Sequence, residues 1–215
     1  MSAAARNRSH YAQRHVRLPD DLTRARTAIT RERGREVQRL EKLLEDAGIK
    51  LSSVASDITG VSGRAMLEAL IAGDQDPAVL ADLAKRRLRS KIPALTEALT
   101  GRFSDHHGFL ARVHLDLIDR HSAAIAEITE RIEVVIEPFR GFRDLITTIP
   151  GVGQIVADII TAETGADMLR FPTAGHLASW AGTTPGMVPI RSQKARKGSI
   201  TTSIRAVRSV IAWLR

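Results

Sequence analysis

The chain has 215 residues, of which 43% are hydrophobic, 26% are charged and only 4% are aromatic, and its net charge is +8. This composition indicates an ordinary folded protein and excludes a disordered tail. Cysteine is absent, which excludes a disulfide framework, a thiolate nucleophile and a cysteine-based zinc site. No apolar run approaches the roughly 20 residues that span a bilayer, and the N-terminus lacks the apolar core of a signal peptide. We therefore expect a cytoplasmic protein without membrane contact.

The positive charge is concentrated at the C-terminal end. No Asp or Glu occurs from Met168 to Arg215, whereas this segment holds eight Lys and Arg residues, as many as the whole net charge. A segment of one sign is typical of a surface that binds a polyanion, most often nucleic acid. A solvated charged face without a partner is the alternative. The eight basic residues are Arg170, Arg191, Lys194, Arg196, Lys197, Arg205, Arg208 and Arg215.

The abundance of Ala, Leu, Ile, Arg and Glu, with few aromatic residues and prolines, predicts an all-α fold. Residues 1–17 are basic and lack apolar periodicity, so we predict a flexible basic arm there. A helix is then predicted to begin at Pro19 and to end at Gly48. Its apolar positions step by three and four residues, as on one face of a helix; they are Val37, Leu40, Leu44 and Ala47.

Shorter helices are predicted in the middle of the chain. One follows Ser52, a second lies between Gly63 and Gly73, and a third begins near Asp76-Pro77 and should be kinked or broken at Pro93.

A long helix is predicted from about Ser104, with apolar residues at heptad spacing that indicate a coiled-coil seam. The seam can pair with the first helix of the same chain or with another subunit, and both remain open. One heptad position holds Ile118, Ile125, Ile132 and Phe139, and the other holds His121, Ile128 and Val135. The helix also carries Asp105, His106, His107, His114 and Asp116, which scatter around it and predict no metal site.

Pro138 and Gly141 mark a change to shorter helices joined by Gly- and Pro-rich corners. We therefore divide the chain into a helical coiled-coil region over 18–140 and a C-terminal domain over 141–215. In the latter, "TIPGVGQIVADII" at 148–160 fits a helix-hairpin-helix. Leu145, Ile146 and Ile149 are expected to pack before the corner.

Two glycines in this corner let backbone amides approach a DNA phosphate at a helix N-terminus. Such contacts hold a duplex without reading its bases. The predicted DNA-binding residues here are Gly151, Val152, Gly153 and Gln154, and Val156, Ile159 and Ile160 are expected to pack behind them. The alternative is a corner between helices with an architectural role only.

A second candidate is the basic loop from Arg191 to Ser199, which combines four cations with two hydroxyls. The cations can clamp phosphates, and a serine beside them can attack a phosphodiester if its hydroxyl is activated. More often such a serine only contacts phosphate or water. The cations assigned to DNA binding are Arg191, Lys194, Arg196 and Lys197, together with Arg205 in the following helix.

Several long stretches resemble, in the right order, the "one-ten" family of insertion-sequence transposases. They include "GREVQRL", "KLLEDAGIKLSSV", "DITGVSGRAMLEALIAG", "LADLAKRRLRSKIPAL" and "TIPGVGQIVADIITAETGADMLRFPTAGHLASWAG". The resemblance runs from about Leu18 to the C-terminus. It implies a DNA recombinase similar to site-specific DNA invertases, with a DEDD set of metal-binding carboxylates, a coiled coil and a transposase domain that carries a serine nucleophile.

The family's serine begins a basic loop after a Gly-x-x-Pro-Gly corner. Here the corner is Gly182–Gly186, and the matching catalytic residue is Ser192. The loop reads "SQKARKG", where the family has Ser-Ala-Gly-Lys followed by basic residues, so Ser199 is the fallback.

The resemblance also implies partners: DNA, a structured noncoding guide RNA, and further copies of the chain joined through the coiled coil. When bound to DNA, the protein is expected to be associated with the nucleoid. We find no counterpart of the DEDD domain, so no cofactor is expected in this chain and Mg²⁺ only together with that domain. We therefore expect a truncated transposase that binds nucleic acid but is inactive alone in strand cleavage and rejoining. The alternative is a non-catalytic helix-hairpin-helix binding module or a dimerising remnant.

Overall fold

The computed structural model describes residues 3–149, 151–173 and 176, with side chains from residue 19 onward except at 170. Regular structure in these ranges is helical, as the composition predicts, and no strand occurs among them. The chain divides into two compact units, one formed by residues 1–26 with 128–215 and the other by residues 27–127. We call them the terminal unit and the central unit.

Helix α1 spans Ala3–Asp46. The prediction that it begins at Pro19 is therefore wrong: Pro19 lies inside the helix. Alanine and arginine are strong helix formers and are frequent before Pro19, so the helix continues through the proline at the expense of one amide hydrogen bond. Its end agrees with the prediction, since a turn follows in which Gly48 adopts φ +80°.

The central unit continues with short helices. Helix α2 spans Leu51–Val54, α3 spans Val61–Ala72, α4 spans Pro77–Asp82 and α5 spans Ile92–Ala98, with a 3-10 helix at Arg86–Lys91. The Asp76 carboxylate caps α4 by accepting a bond from the Ala78 amide at 2.9 Å. A helix boundary lies at Pro93 as predicted, because this proline occupies the first turn of α5. The helix predicted to run from Asp76-Pro77 to this point is shorter than expected, since α4 already ends at Asp82.

The predicted start of α3 at Gly63 is wrong by two residues. The helix begins at Val61, and Gly63 is buried in its first turn. An added Cβ there would lie 2.3 Å from the Ile58 carbonyl oxygen, so the glycine serves close packing and does not mark a helix end. Gly73 does end the helix, at φ +101°.

Helix α6 spans Asp105–Ile136. Within the central unit it runs antiparallel to α1: Arg33 Nε donates to Ser122 Oγ at 2.8 Å, and His114 Nδ1 lies 2.9 Å from Glu36 Oε2. The partner of this part of α6 is therefore the first helix of the same chain. The coiled-coil seam and its role in oligomerisation remain predictions.

The central core lies between these helices. Its fully buried apolar side chains come from α1 to α6 and include Leu40, Leu51, Leu67, Leu80, Leu95 and Ala111. In the terminal unit, a 3-10 turn at Glu137–Phe139 leads into α7 (Arg140–Thr147), and a corner leads into α8 (Gln154–Thr164).

Candidate nucleic-acid interface

The corner between α7 and α8 is held by a small apolar core. Ile146, Ile149, Val152 and Ala157 are buried in it. Phe142 and Ile160 pack against this core, so the predicted packing on both sides of the corner is confirmed for Ile146, Ile149 and Ile160.

Val156 does not pack behind the corner as predicted. Its side chain is 44% exposed, and that of its neighbour Ile155 is 61% exposed. The reason is helical phase: α8 turns Ala157, Asp158 and Thr161 inward, and Val156 lies to the side of this face.

The two glycines of the corner have different roles. Gly151 adopts φ +89°, in the left-handed region that favours glycine. Gly153 has φ −81° and ψ 171°, which any residue can adopt, and no atom lies within 4 Å of an added Cβ. The backbone therefore requires glycine only at Gly151, whereas Gly153 leaves the surface beside α8 open.

This open surface is the N-terminus of α8. The amides of Val156 and Ala157 both donate to the Gly153 carbonyl at 3.0 Å, and no side chain caps the helix. The first amides of a helix have no acceptors within it and point outward with partial positive charge. The geometry therefore fits a phosphate oxygen or another anion.

A chain of charged groups lies beside the corner. Gln154 Nε2 donates to Glu133 Oε1 at 2.5 Å, and Arg143 Nη1 donates to Glu133 Oε2 at 2.8 Å. Arg143 Nη1 also lies 3.5 Å from Asp158 Oδ1, and Arg26 Nη1 donates to Asp158 Oδ2 at 3.1 Å. The two carboxylates thus alternate with two guanidinium groups from α1 and α7, which ties α8 to both helices.

The electrostatics of this cluster follow its burial. The hydrogen bond from Arg143 lowers the pKa of Glu133, and the same bond raises the pKa of Arg143. Burial raises the pKa of Asp158, and the hydrogen bond from Arg26 opposes that rise. The negative charges of both carboxylates are balanced by their arginine partners. The cluster therefore positions α8 and has no unbalanced charge with which to bind a ligand.

Four of the predicted site residues lie together in the corner. Gly151, Gly153 and Gln154 are exposed, but Val152 is only 5% exposed, so its side chain faces the core and only its backbone can contact a ligand. The other predicted site residues lie outside the described residues: Ser192, Ser199, Arg191, Lys194, Arg196, Lys197 and Arg205.

Sequence reasoning missed the ion pair of Arg26 and Asp158 and the role of Arg143. One signal was available: Asp158 interrupts the apolar run of α8 on its buried face, and a buried carboxylate needs a charged partner. The identity of that partner was not available, because Arg26 is 132 residues away along the chain.

A family comparison now bears on this corner and on the basic segment that follows it. Residues 143–212 match the model of the Transposase IS116/IS110/IS902 family. The resemblance to insertion-sequence transposases is thereby confirmed for these residues, and the match extends from Arg143 in α7 through the corner, α8 and the predicted basic loop. No curated protein and no solved structure matches the chain. We call residues 143–212 the transposase-family segment.

Two further properties concern the described residues only. None of their helices combines the length and the apolar character that crossing a membrane requires. Nor do these residues contain a group of three or more histidines and carboxylates that could hold a metal ion. Two histidines of α6 make polar contacts with α1: His107 Nε2 lies 3.5 Å from Asp46 Oδ2, and His114 Nδ1 lies 2.9 Å from Glu36 Oε2.

Proposed function

We propose that this chain is the DNA-binding and strand-exchange part of an insertion-sequence transposase. The observation that carries the proposal is the match of residues 143–212 to a transposase family. The absence of acidic residues after Asp167 supports a polyanionic partner, and DNA is the polyanion on which a transposase acts.

In this proposal the corner between α7 and α8 is a helix-hairpin-helix that binds the DNA backbone. The uncapped N-terminus of α8 and the open space beside Gly153 favour this role. Contacts of this kind position a duplex without selecting its sequence, so recognition of the target requires another component, for which the family resemblance suggests a structured noncoding RNA.

The proposed nucleophile is Ser192. Its Oγ would attack the phosphorus of a DNA phosphodiester, so that a serine-phosphate ester forms and one sugar hydroxyl leaves with the proton. Attack on this ester by the hydroxyl of another strand would rejoin the DNA and release the serine. Arg191, Lys194, Arg196 and Lys197 would stabilise the negative charge that develops on the phosphate oxygens.

The Mg²⁺ that the resemblance associates with a DEDD domain has no ligand set among the described residues. Joining of several copies through a coiled coil would bring two cleaved strands together, as rejoining requires.

Covalent capture on DNA tests the nucleophile. The purified chain is incubated with a supercoiled plasmid that carries the DNA flanking its own gene, and adducts that resist SDS are separated on a gel. We expect DNA binding without an adduct, in line with the expectation that the chain is inactive alone. An adduct formed by the unmodified chain and by the control Ser203→Ala, but not by Ser192→Ala, would identify Ser192 as the nucleophile and contradict the expected inactivity.

The other outcomes also discriminate. An adduct that survives Ser192→Ala and disappears with Ser199→Ala would move the role to Ser199. No binding to DNA at low salt would contradict the proposed function.

A further inference from the structure

A second basic surface lies in the central unit, outside the transposase-family segment. It is a cleft of about 910 Å³ between the segment from Val54 to Ser62 and the 3-10 helix at Arg86–Lys91. Four cations line it, and Asp57 is the only carboxylate among the lining residues. The cations are Lys85, Arg86, Arg87 and Lys91.

Three of these cations are not used by the described part of the chain. The exposed side chains of Lys85, Arg86 and Arg87 make no hydrogen bond or ion pair with any described residue. The neighbouring Arg89 behaves differently, because its Nη2 pairs with Asp82 at 3.1 Å. The one carboxylate, Asp57, is already occupied by the amide and hydroxyl of Thr59 at 2.9 and 2.8 Å. The cleft therefore has a net positive charge that no group among the described residues neutralises.

Arg86 supplies an independent observation. Its φ is +52°, in the left-handed region that is strained for an arginine and unstrained for glycine. Strained positions of this kind concentrate at functional sites. Here the strained residue presents an unpaired guanidinium to the cleft, so the side chain has no role in the described fold that would account for the strain.

The remaining lining groups indicate the kind of anion. The hydroxyls of Ser56, Ser62 and Ser90 line the cleft beside the cations, although Ser62 Oγ already accepts a bond from the Lys85 amide. Hydroxyls and cations together are typical contacts to phosphate oxygens. Among the described side chains, no aromatic residue lines the cleft, and these side chains therefore offer no stacking platform of the kind that binds a single strand.

We propose that this cleft binds the phosphodiester backbone of duplex DNA, as a second contact separate from the transposase-family segment. The choice of DNA as the polyanion rests on the proposed function. The fit of the cleft to a phosphate backbone rests on the three cations without a described partner and on the neighbouring serine hydroxyls.

The test is binding to a fluorescent duplex of mixed sequence over a range of salt concentrations. Replacing Lys85, Arg86 and Arg87 together with Gln should weaken binding by roughly two to three orders of magnitude at about 0.1 M salt, because three phosphate contacts are lost. It should also reduce the log-log salt slope by about 2.7, because each lost phosphate contact contributes roughly 0.9. The matched control replaces three exposed cations elsewhere in the central unit, Lys42, Arg102 and Arg120, and should leave the slope nearly unchanged.

The single variant Arg86→Gly separates binding from folding. Glycine accepts the φ of +52°, so the melting temperature should stay equal or rise while the salt slope falls by about 0.9. If the triple variant and its control bind alike, or if Arg86→Gly binds as the unmodified chain does, the proposal is wrong.

A variant of the predicted basic loop distinguishes this proposal from the proposed function. If Arg191/Lys194/Arg196/Lys197→Ala abolishes binding and the cleft variant resembles its control, the cleft proposal fails and the proposed function stands. If the loop variant still binds DNA and the cleft variant does not, the cleft proposal stands and the role proposed for the basic loop fails. The same measurement is made with an RNA hairpin. If the cleft variant has a reduced log-log salt slope for RNA but not for duplex DNA, the assignment to DNA is wrong.

Discussion

The ion pair between Arg26 and Asp158 should be essential to the terminal unit. Both side chains are at most 4% exposed, and their nearest nitrogen and oxygen lie 3.1 Å apart. Asp158→Asn keeps the shape but removes the charge, so the buried guanidinium of Arg26 loses its carboxylate. Breaking a buried pair from one side costs about 3–5 kcal/mol. We expect the lower end, about 3 kcal/mol, because Glu133 remains to balance Arg143.

For a chain of this length, such a loss lowers the melting temperature by roughly 6–12 °C. Urea unfolding followed by circular dichroism gives the free energy of unfolding, and amide exchange in α8 shows whether the loss is local. The control is Asp20→Asn, which breaks an exposed pair with Arg24 in the same helix as Arg26 and should cost at most about 1 kcal/mol.

Replacement of both partners, Arg26→Met with Asp158→Leu, should recover most of the stability because no charge remains buried. The reasoning is refuted if Asp158→Asn costs no more than Asp20→Asn, or if the double variant is as unstable as the single one.

Three further predictions concern individual positions. Gly34→Ala in α1 should stabilise the chain by roughly 0.5–1 kcal/mol, since nothing lies within 4 Å of the added methyl group; a lower urea midpoint would contradict this. Gly63→Ala should instead destabilise the central unit, because its methyl group meets the Ile58 carbonyl, and an unchanged midpoint would rule that contact out. Glu133→Gln should be less stable than the unmodified chain at pH 7. Because Arg143 lowers the pKa of Glu133 in the folded state, that stabilisation is present above the ordinary value of 4.5 and is lost as pH falls through the lowered pKa. The urea midpoints of Glu133→Gln and of the unmodified chain should therefore approach each other as the pH falls from 7 to 3, and a difference that stays constant would argue against the Arg143 contact.

The local features of the fold were predictable from the sequence. Pro93 marks the start of α5 because the first turn of a helix needs no amide hydrogen bond from the proline, and Gly73 ends α3 because it adopts a left-handed backbone conformation. Gly63 and Pro19 misled the prediction for different reasons. The first is required by a tertiary contact with Ile58, and the second lies in a helix whose other residues favour continuation.

The site was predictable in part. The corner around Gly151 follows from local glycine chemistry, so its position between two helices could be derived. The pairing of Asp158 with Arg26 could not, because it depends on how distant helices meet. The cleft could not be predicted either, because acidic and basic residues upstream of Met168 balance in number. Only the structure shows that Arg89 has a partner, whereas Arg86 and Arg87 are unpaired within the described residues.

The most direct test of the central claim is the salt dependence of duplex DNA binding by two variants of the corner. Gly153→Val places a branched side chain in the open space at the start of α8, at backbone angles that valine accepts. Gly153→Ala is the smaller control. If α8 binds phosphate, Gly153→Val should weaken binding and make the log-log slope shallower, while the alanine variant stays close to the unmodified chain. Equal binding by all three proteins would show that the corner serves only to join two helices.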